Sequence, residues 1–461
     1  MDFVKLVVIG GDAAGMSAAS QARKRLGPEE LQIVAFERGH FTSYSACGIP
    51  YWIGGAVDDL DALVARTPEK HREAGIDVRL RHEVVAIDLE RRQVVARDLT
   101  DGREVRENYD QLMYAAGASP VTPEWARVPA AGIFGVQTLD DGAAIMGWLD
   151  GSQPGRPRTA VVIGGGYIGV EMAEAMLRRG LDVTLLEKSA QPMGKTVDPD
   201  VGNMVAEAIR REGIKVVTEA HVEGLETAGG RVTAVVTPAG SLPADIVIMG
   251  LGVRPNSALA TTSGLPVGPT GGLRTDRRMR VDGTDNVWAA GDCVETRHLI
   301  TGAPVHVPLG THANKQGRVA GINLAGGYAT FPGVIGTAVT KVCELEVART
   351  GLTEKEARHA GFEFVTASVE STSRAGYYPG ASPMTIKLIA ERRTGTLLGA
   401  QIVGKAEAAK RIDALAVAVW NRMSVEEMTA LDLSYAPPFA PVWDPVLIAA
   451  RKATEAVHQK N

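Results

Sequence analysis

Cysteine is scarce: Cys47, Cys293 and Cys343 are the only three in 461 residues. They lie far apart with no Cys-x-x-Cys pair, too few for a disulfide framework and wrongly spaced for a zinc site. No metal centre is therefore expected, and a reducing, cytoplasmic setting fits. Long apolar runs are missing too. No stretch approaches the ~18 uninterrupted apolar residues of a membrane span. The run between Lys5 and Gly10 is too short for the hydrophobic region of a signal peptide. Nor is positive charge in excess: 49 Lys and Arg against 54 Asp and Glu leave a formal net charge of -5, so no broad basic field offers itself to nucleic acid. Disorder is excluded by a hydrophobic share of 45% with 22% charged residues, enough for large cores. At roughly 150 residues per domain, the length predicts two or three domains.

Glycine is plentiful, 52 residues, and its clustering is informative because glycine serves where a backbone must turn tightly or approach a ligand. From Lys5 the sequence reads as a buried strand, a glycine turn and a helix to about Arg25, followed by a strand from Leu31 to Phe36 that ends at Glu37. The same order returns from Thr159, with a helix to about Arg179, a strand from Asp182 to Leu186, and Glu187 at its end. Each is a βαβ unit with the pattern of a dinucleotide site. The polar, turn-rich stretch Gly151 to Arg158 reads as the loop entering the second unit. Beyond about Gly327 the pattern stops. Strand-like runs (Met384 to Ile389, Leu397 to Val403) and a helical run (Ala406 to Trp420) predict a separate α+β domain. Within that helix, Ile412 to Val419 is apolar almost throughout, which fits a core helix as well as one with a face left for a partner.

Phosphate binding at a helix start needs unpaired backbone N–H groups and no side chain in the way. Gly164, Gly166 and Gly169 hold the GxGxxG spacing, and Glu187 follows Gly169 by 18 residues, close to the ~20 of the dinucleotide fingerprint. The first turn keeps Gly10 and Gly15 at the outer positions but has Asp12 in the middle. A carboxylate pointing inward there would repel a pyrophosphate, so Asp12 is expected to point away or to meet a cation. Glu37, 22 residues past Gly15, completes the pattern. An acid at the end of the second strand accepts hydrogen bonds from a ribose diol and repels a 2'-phosphate, so Glu187 favours NADH, while Lys188 beside it leaves room for NADPH. Ten residues beyond Glu37 comes Cys47. A nearby helix start or oxidised flavin would lower its pKa below the free value of about 8.5 and make it reactive, although a lone cysteine is more often a small buried hydrophobe.

Several segments together decide between these. The chain from Ser43 to Tyr51 around Cys47, Gly250 to Asn256, Asn286 to Asp292 and Asn314 to Gly321 make the protein resemble the FAD-dependent pyridine nucleotide-disulfide oxidoreductases over most of its length. Thr42 stands where dithiol members have the first thiol of a Cys-x4-Cys pair, so the chain is similar to the single-cysteine branch, which holds coenzyme A disulfide reductases, NADH oxidases and persulfide reductases. The resemblance implies an α/β fold with two Rossmann-like dinucleotide-binding domains, for FAD and NAD(P)H, and a C-terminal α+β dimerisation domain. Boundaries are expected at 1–112 and 246–326 for the FAD domain, 113–245 for the nicotinamide domain and 327–461 for the dimerisation domain. It further implies a homodimer, and cofactor contacts from Gly10, Ala14, Gly15, Glu37, Arg38, Ser43, Ala116, Gly117, Gly252, Gly291, Asp292 and Asn314, with Gly164, Gly166, Ile168, Gly169, Glu187 and Lys188 in the second unit. Asp292 would reach the flavin's ribityl or pyrophosphate region, and Cys293 and Cys343 would pack as small apolar residues.

One cysteine beside a flavin needs a second sulfur or an oxygen to store two electrons. A mixed disulfide with coenzyme A, a sulfenic acid and a persulfide correspond to disulfide reduction, oxidase or peroxidase work, and sulfur reduction. Peroxidase-like relatives carry a histidine where this chain has Ala13, which speaks against the peroxide reading. Tyr377 and Tyr435 lie in segments similar to those from which coenzyme A disulfide reductases supply tyrosines across the dimer, with Tyr378 the packing member of its pair. Arg23 and Lys24, together with Ser43, are the expected coenzyme A contacts, whereas Ala46 replaces an asparagine found before the cysteine in some of those reductases. No room remains after Asn461 for the rhodanese domain that many persulfide reductases carry. The expectation is an NAD(P)H-dependent enzyme that reduces coenzyme A disulfide through Cys47. NADH oxidase and persulfide or polysulfide reductase stand as alternatives, and a flavin-bound redox sensor as the non-enzymatic one.

Overall fold

A computed structural model describes residues 4–151, 156–405 and 407–459. Part of the expected loop from Gly151 to Arg158, and Ala406 at the start of an expected helix, lie outside the described residues. Among those described, no helix is long and apolar enough to cross a membrane.

Two parallel five-stranded sheets share one plan. In the first, Val4–Ile9 lies between Leu31–Glu37 and Gln111–Tyr114, with Ile76–Leu80 and Val287–Ala289 at the edges. In the second, Thr159–Ile163 lies between Asp182–Leu186 and Ile246–Met249, with Lys215–Val217 and Ile133–Phe134 outside. The central strands are unbroken apolar runs because both faces of a parallel sheet are covered; Leu6, Val7 and Val8 are wholly buried, as is Val162. Chain order reverses beside each central strand, so the turn that follows it opens into the crevice where such sheets take ligands. Each sheet carries an antiparallel three-stranded meander, at 82–108 and 224–243.

The crossings between the two units fall later than expected. The boundary drawn at 112 cuts Gln111–Tyr114, which is paired into the first sheet, and the one at 245 precedes Ile246–Met249, which is paired into the second. The connections follow these strands, where Ala118–Pro120 pairs with Val253–Pro255. The cause is the shortness of the strands, four residues each, which have no sequence period to mark their ends.

The C-terminal sheet is antiparallel, in the order Ala338–Val342, Leu345–Gly351, Leu397–Gly404, Pro383–Glu391, Phe364–Thr372. Helices Ile412–Trp420, Val425–Met428 and Pro445–His458 share one hydrophobic core with it. The first of these is shorter than expected, preceded by a 3-10 turn at Ala409–Arg411. It buries Ile412, Leu415, Ala418 and Val419 but exposes Val417 and Trp420, so it serves the core on one face only.

Helix Ala13–Arg23 lies against helix Gly310–Leu324 at backbone distance. A Cβ on Gly317 would run into the Ala14 carbonyl, and one on Gly321 into that of Ala18, so small residues four apart form the contact, as close ridge-and-groove packing requires. Gly317→Leu is expected to lower stability by about 1–3 kcal/mol through overpacking, read from the urea midpoint; an unchanged midpoint would show that the helices separate freely.

Candidate active site

The two glycine turns are built alike. Gly10 and Gly164 have φ of +102° and +101°, a region that side chains other than hydrogen rarely enter. A Cβ on Gly15 or Gly169 would strike the carbonyl oxygen of Gly10 or Gly164. The acids complete the match. Glu37 accepts the N–H of Gly11 at 2.8 Å and of Gly39 at 2.7 Å; Glu187 accepts the N–H of Gly165 at 2.6 Å and the N–H and hydroxyl of Ser189, both at 2.6 Å. Each carboxylate braces its turn and keeps lone pairs for a ribose. Lys188 beside Glu187 is exposed, and Ile168 is half-buried in the first turn of its helix.

The helices that leave these turns lack side-chain caps. Neither Asp12 nor Gly166 caps its helix, and neither first turn holds an acid, whereas Leu139–Leu149, Glu354–His359 and Val425–Met428 are closed by capping boxes. Their first N–H groups remain open to an anion, which fits a dinucleotide pyrophosphate at each. The Asp12 carboxylate is held by a backbone amide: its Oδ1 accepts the Tyr44 N–H at 3.1 Å. Burial raises its pKa to about 7, with the Tyr44 amide opposing and Glu37 adding to the shift.

Thr42 is wholly buried and donates its hydroxyl to the Gly11 carbonyl, packed as a structural residue. The chain then passes Ser43, with φ of +51°, and forms the 3-10 turn Ala46–Gly48 before helix Ile49–Ile53. Cys47 is the one exposed thiol of three. In the flavin-free chain its pKa is raised by desolvation, then by Glu171 and Asp292; the three- and five-residue helices beside it carry little dipole to oppose them. Cys293 is buried against the carbonyls of Ala290 and Tyr114, and burial pushes it and Cys343 up to about 12.

Glu171 was invisible as a site residue in the sequence. It closes the Tyr167–Glu171 turn of the second unit's helix, accepts the Thr340 hydroxyl of the C-terminal domain at 2.6 Å, and accepts the Tyr51 hydroxyl at 3.5 Å. Burial raises its pKa. Three parts of the chain therefore meet beside Cys47. Asp292, half-buried, is raised by burial with His306 opposing, and the preceding Gly291 N–H is held by Gln316 at 2.9 Å. Gly291 itself faces the Ala14 methyl. Ala116 and Gly117 present their carbonyls to Asn256, and Gly252 its carbonyl to Val121.

A cleft of about 540 Å³ starts at Asp12, follows Ser17 and Gln21 to Lys24, and is faced by Ser43–Ser45, Arg66, Asn314 and Arg318. Three cations line it, and it reaches within two residues of Cys47. Asn314 accepts the Ser17 hydroxyl at 2.7 Å. Ser43 Oγ lies 2.9 Å from His71 Nε2, and burial, aided by Arg66, pushes His71 down to about 4. Arg23 does not join this cleft. Its guanidinium donates to the carbonyls of Leu26 (3.1 Å), Leu31 (2.6 Å) and Gly75 (2.9 Å), which also ends the helix at Arg23, two residues early. A smaller cavity, about 290 Å³, lies beside Glu37 and Arg38 with Phe41, Pro120 and Leu139 in its walls.

Tyr377 and Tyr435 are 79% and 48% exposed, and desolvation, helped by the nearness of Tyr377, raises the pKa of the Tyr435 phenol. Their loops are tied by the Ala375 N–H to Pro437 O (3.1 Å) and by Arg411, which donates to Ser373 O and Phe439 O. Phe439, Val442 and Trp443 are exposed in the same domain, with the Arg451 guanidinium over the Trp443 ring.

Two outcomes follow in the flavin-free protein. Asp12 has a folded pKa near 7 against 3.8, so the folded state holds the extra proton and stability falls as pH rises from about 4 to 7; Asp12→Asn should flatten the decline of thermal midpoint across that window, and a parallel decline would contradict the shift. Glu171→Gln removes a negative neighbour of Cys47 and should speed its alkylation at pH 8 by up to about tenfold; mapped adducts that form no faster would contradict the contact.

Residues 4–317 match the model of the pyridine nucleotide-disulphide oxidoreductases, and residues 337–445 that of the family's dimerisation domain. A NAD(P)H sulfur oxidoreductase (CoA-dependent) of Pyrococcus furiosus is 40% identical over 98% of this chain and 99% of its own. The solved NAD-dependent persulfide reductase from A. fulgidus superposes with a TM-score of 0.93 at 38% identity, covering 98% of this chain and 83% of that one. Reduced Bacillus anthracis CoADR-RHD gives 0.93 at 34%, covering 99% and 81%. With both glycine turns, their acids and the exposed Cys47 in place, the chain belongs to the pyridine nucleotide-disulphide oxidoreductase family, an enzyme whose membership implies FAD and NAD(P)H as cofactors.

Proposed function

We propose that the protein passes two electrons from NAD(P)H, through FAD, to a sulfur–sulfur bond carried by coenzyme A, with Cys47 as the exchanging sulfur. The observation that carries this reading is the cleft that is lined by Lys24, Arg66 and Arg318 and reaches the segment of the one exposed thiol. Three cations lining one cleft suit the phosphates of a long carrier thiol and have no use for oxygen or peroxide. Coenzyme A disulfide is the first acceptor. A persulfide of coenzyme A is the second, favoured by the CoA-dependent sulfur relative and the persulfide reductase neighbour.

FAD, when bound, supplies the two-electron relay between nicotinamide and sulfur. The residues do the rest. The Cys47 thiolate attacks one sulfur of the acceptor; the acceptor's bond breaks, one coenzyme A thiolate leaves and takes a proton, and a mixed disulfide remains on Cys47. Two electrons from NAD(P)H then cleave that bond, release the second thiol and restore Cys47. Glu171 and Asp292 disfavour a bare anion at Cys47, which favours the mixed disulfide as the resting form. In a homodimer, the Tyr377–Tyr435 pair of the partner subunit would donate to the leaving thiolate. Glu187 selects NADH, and the three free thiols suit a reducing cytoplasm.

Steady-state rates with coenzyme A disulfide, coenzyme A persulfide, oxygen and peroxide, measured side by side, test this reading. Cys47→Ser should abolish turnover of the sulfur acceptors. Lys24→Ala should raise KM for coenzyme A disulfide roughly three- to tenfold and leave KM for pantetheine disulfide, which lacks those phosphates, unchanged. Fast oxygen turnover with negligible reduction of either sulfur acceptor would overturn it.

A further inference from the structure

A cluster of buried charged groups lies where the C-terminal sheet meets the nicotinamide unit, with Asp198 2% and Lys387 5% exposed. Lys387 projects from strand Pro383–Glu391 to Asp198 at 3.2 Å, Asp200 at 2.9 Å and Glu354 at 2.6 Å. Gln401, 1% exposed, stands on the neighbouring strand. Its amide nitrogen donates to Asp198 Oδ2 at 2.6 Å, and its carbonyl oxygen accepts the Asp198 backbone N–H at 2.7 Å. The Glu354 N–H donates to Asp198 Oδ1 at 3.0 Å. Arg349, also buried, donates to the Thr196 carbonyl at 3.0 Å and pairs with Glu356 at 2.8 Å.

The far ends of these contacts share a destination. Thr196 and Asp198 belong to segment 188–198, which runs from the end of strand Asp182–Leu186 to the start of helix Pro199–Arg211. That segment folds back over the second glycine turn. The Met193 N–H donates to the Gly165 carbonyl at 2.7 Å, while the Gly165 N–H is held by Glu187, itself tied to Ser189. The Thr196 N–H donates to the Met193 carbonyl at 2.7 Å, which joins the end of the segment to the residue seated on the turn. The segment is thus fixed on one side to the nicotinamide turn and on the other to the C-terminal sheet.

Burying one ammonium among three carboxylates is costly, and an apolar contact would join two domains at lower cost. What the polar network adds is direction: only one placement of the 188–198 segment satisfies Asp198 on both its backbone and its carboxylate. We propose that Lys387, Gln401 and Arg349 are positioning residues that set the affinity of the second unit for its nicotinamide nucleotide by holding segment 188–198 against the Gly164–Gly169 turn. None of the three belongs to either glycine turn or to the cleft beside Cys47. The proposal rests on family membership and is independent of which sulfur acceptor is reduced. By linkage, nucleotide binding must tighten the same contacts.

Calorimetric titration of the holoenzyme with NAD+, with hydrogen exchange of segment 188–198 recorded on the same samples, tests it. Gln401→Leu and Lys387→Met should each raise Kd for NAD+ at least fivefold and accelerate exchange within 188–198. Flavin content should stay at the wild-type level, and KM for NADH should rise more than kcat falls. Lys387→Arg, which keeps the charge, should recover most of the affinity. Gln401→Leu alters no charge and decides alone if Lys387→Met does not accumulate as holoenzyme. Kd within twofold of wild type, whatever happens to the melting temperature, would reduce the network to a structural joint and overturn the proposal.

Discussion

A lone thiol can take part in two-electron exchange only by bonding to an atom from outside its own segment, and the surroundings of Cys47 follow from that constraint. Thr42 fills the place of a partnering cysteine and is consumed by packing, its hydroxyl spent on the Gly11 carbonyl. The other two thiols are buried and pushed up to about 12. Cys47 is left exposed between two carboxylates, Glu171 and Asp292, that penalise its anion. A sulfur so placed is better off bonded than ionised. The cleft lined by Lys24, Arg66 and Arg318 offers the route by which a phosphate-bearing thiol could supply the bonding partner.

Around that sulfur the fold repeats one solution twice. In each parallel sheet a glycine of positive φ ends the central strand, a second glycine lets the helix start against it, and an acid from the next strand grips the intervening amide. The helices leave their first N–H groups uncapped, a cost that a bound pyrophosphate repays. Helix Gly310–Leu324 presses on the first of these helices through Gly317 and Gly321, which fixes the start of that helix. The C-terminal sheet closes the arrangement from the third side, through Thr340 to Glu171 and through Lys387 and Gln401 to Asp198, in the segment that folds over the second glycine turn.

What could be read from the sequence was whatever is local. Strand runs, the glycine spacing and the terminal acids lie within about thirty residues of one another, and each has a steric or electrostatic reason visible in the residue types. Glu171 was missed because its partner, Thr340, lies 169 residues along the chain, and His71 because no repeat or motif links it to Ser43. Arg23 was misplaced for a related reason: a basic residue at a helix end looks available to phosphate, yet three carbonyls brought together by folding claim it. The upward push on the Cys47 thiol in the flavin-free chain could not be read either, because desolvation and the acids Glu171 and Asp292 come from chain segments far from it in sequence. For Asp12 the sequence posed the electrostatic problem of an acid inside a glycine turn, and only the structure named the Tyr44 amide as its partner.

The central claim, that Cys47 holds the second sulfur of the exchange as a coenzyme A mixed disulfide, is tested most directly by the mass of the intact, non-reduced protein. The account predicts a single coenzyme A adduct that maps to Cys47 and is lost on treatment with dithiothreitol. An unmodified Cys47, or one carrying only oxygen, in protein that still turns over with NADH would contradict it.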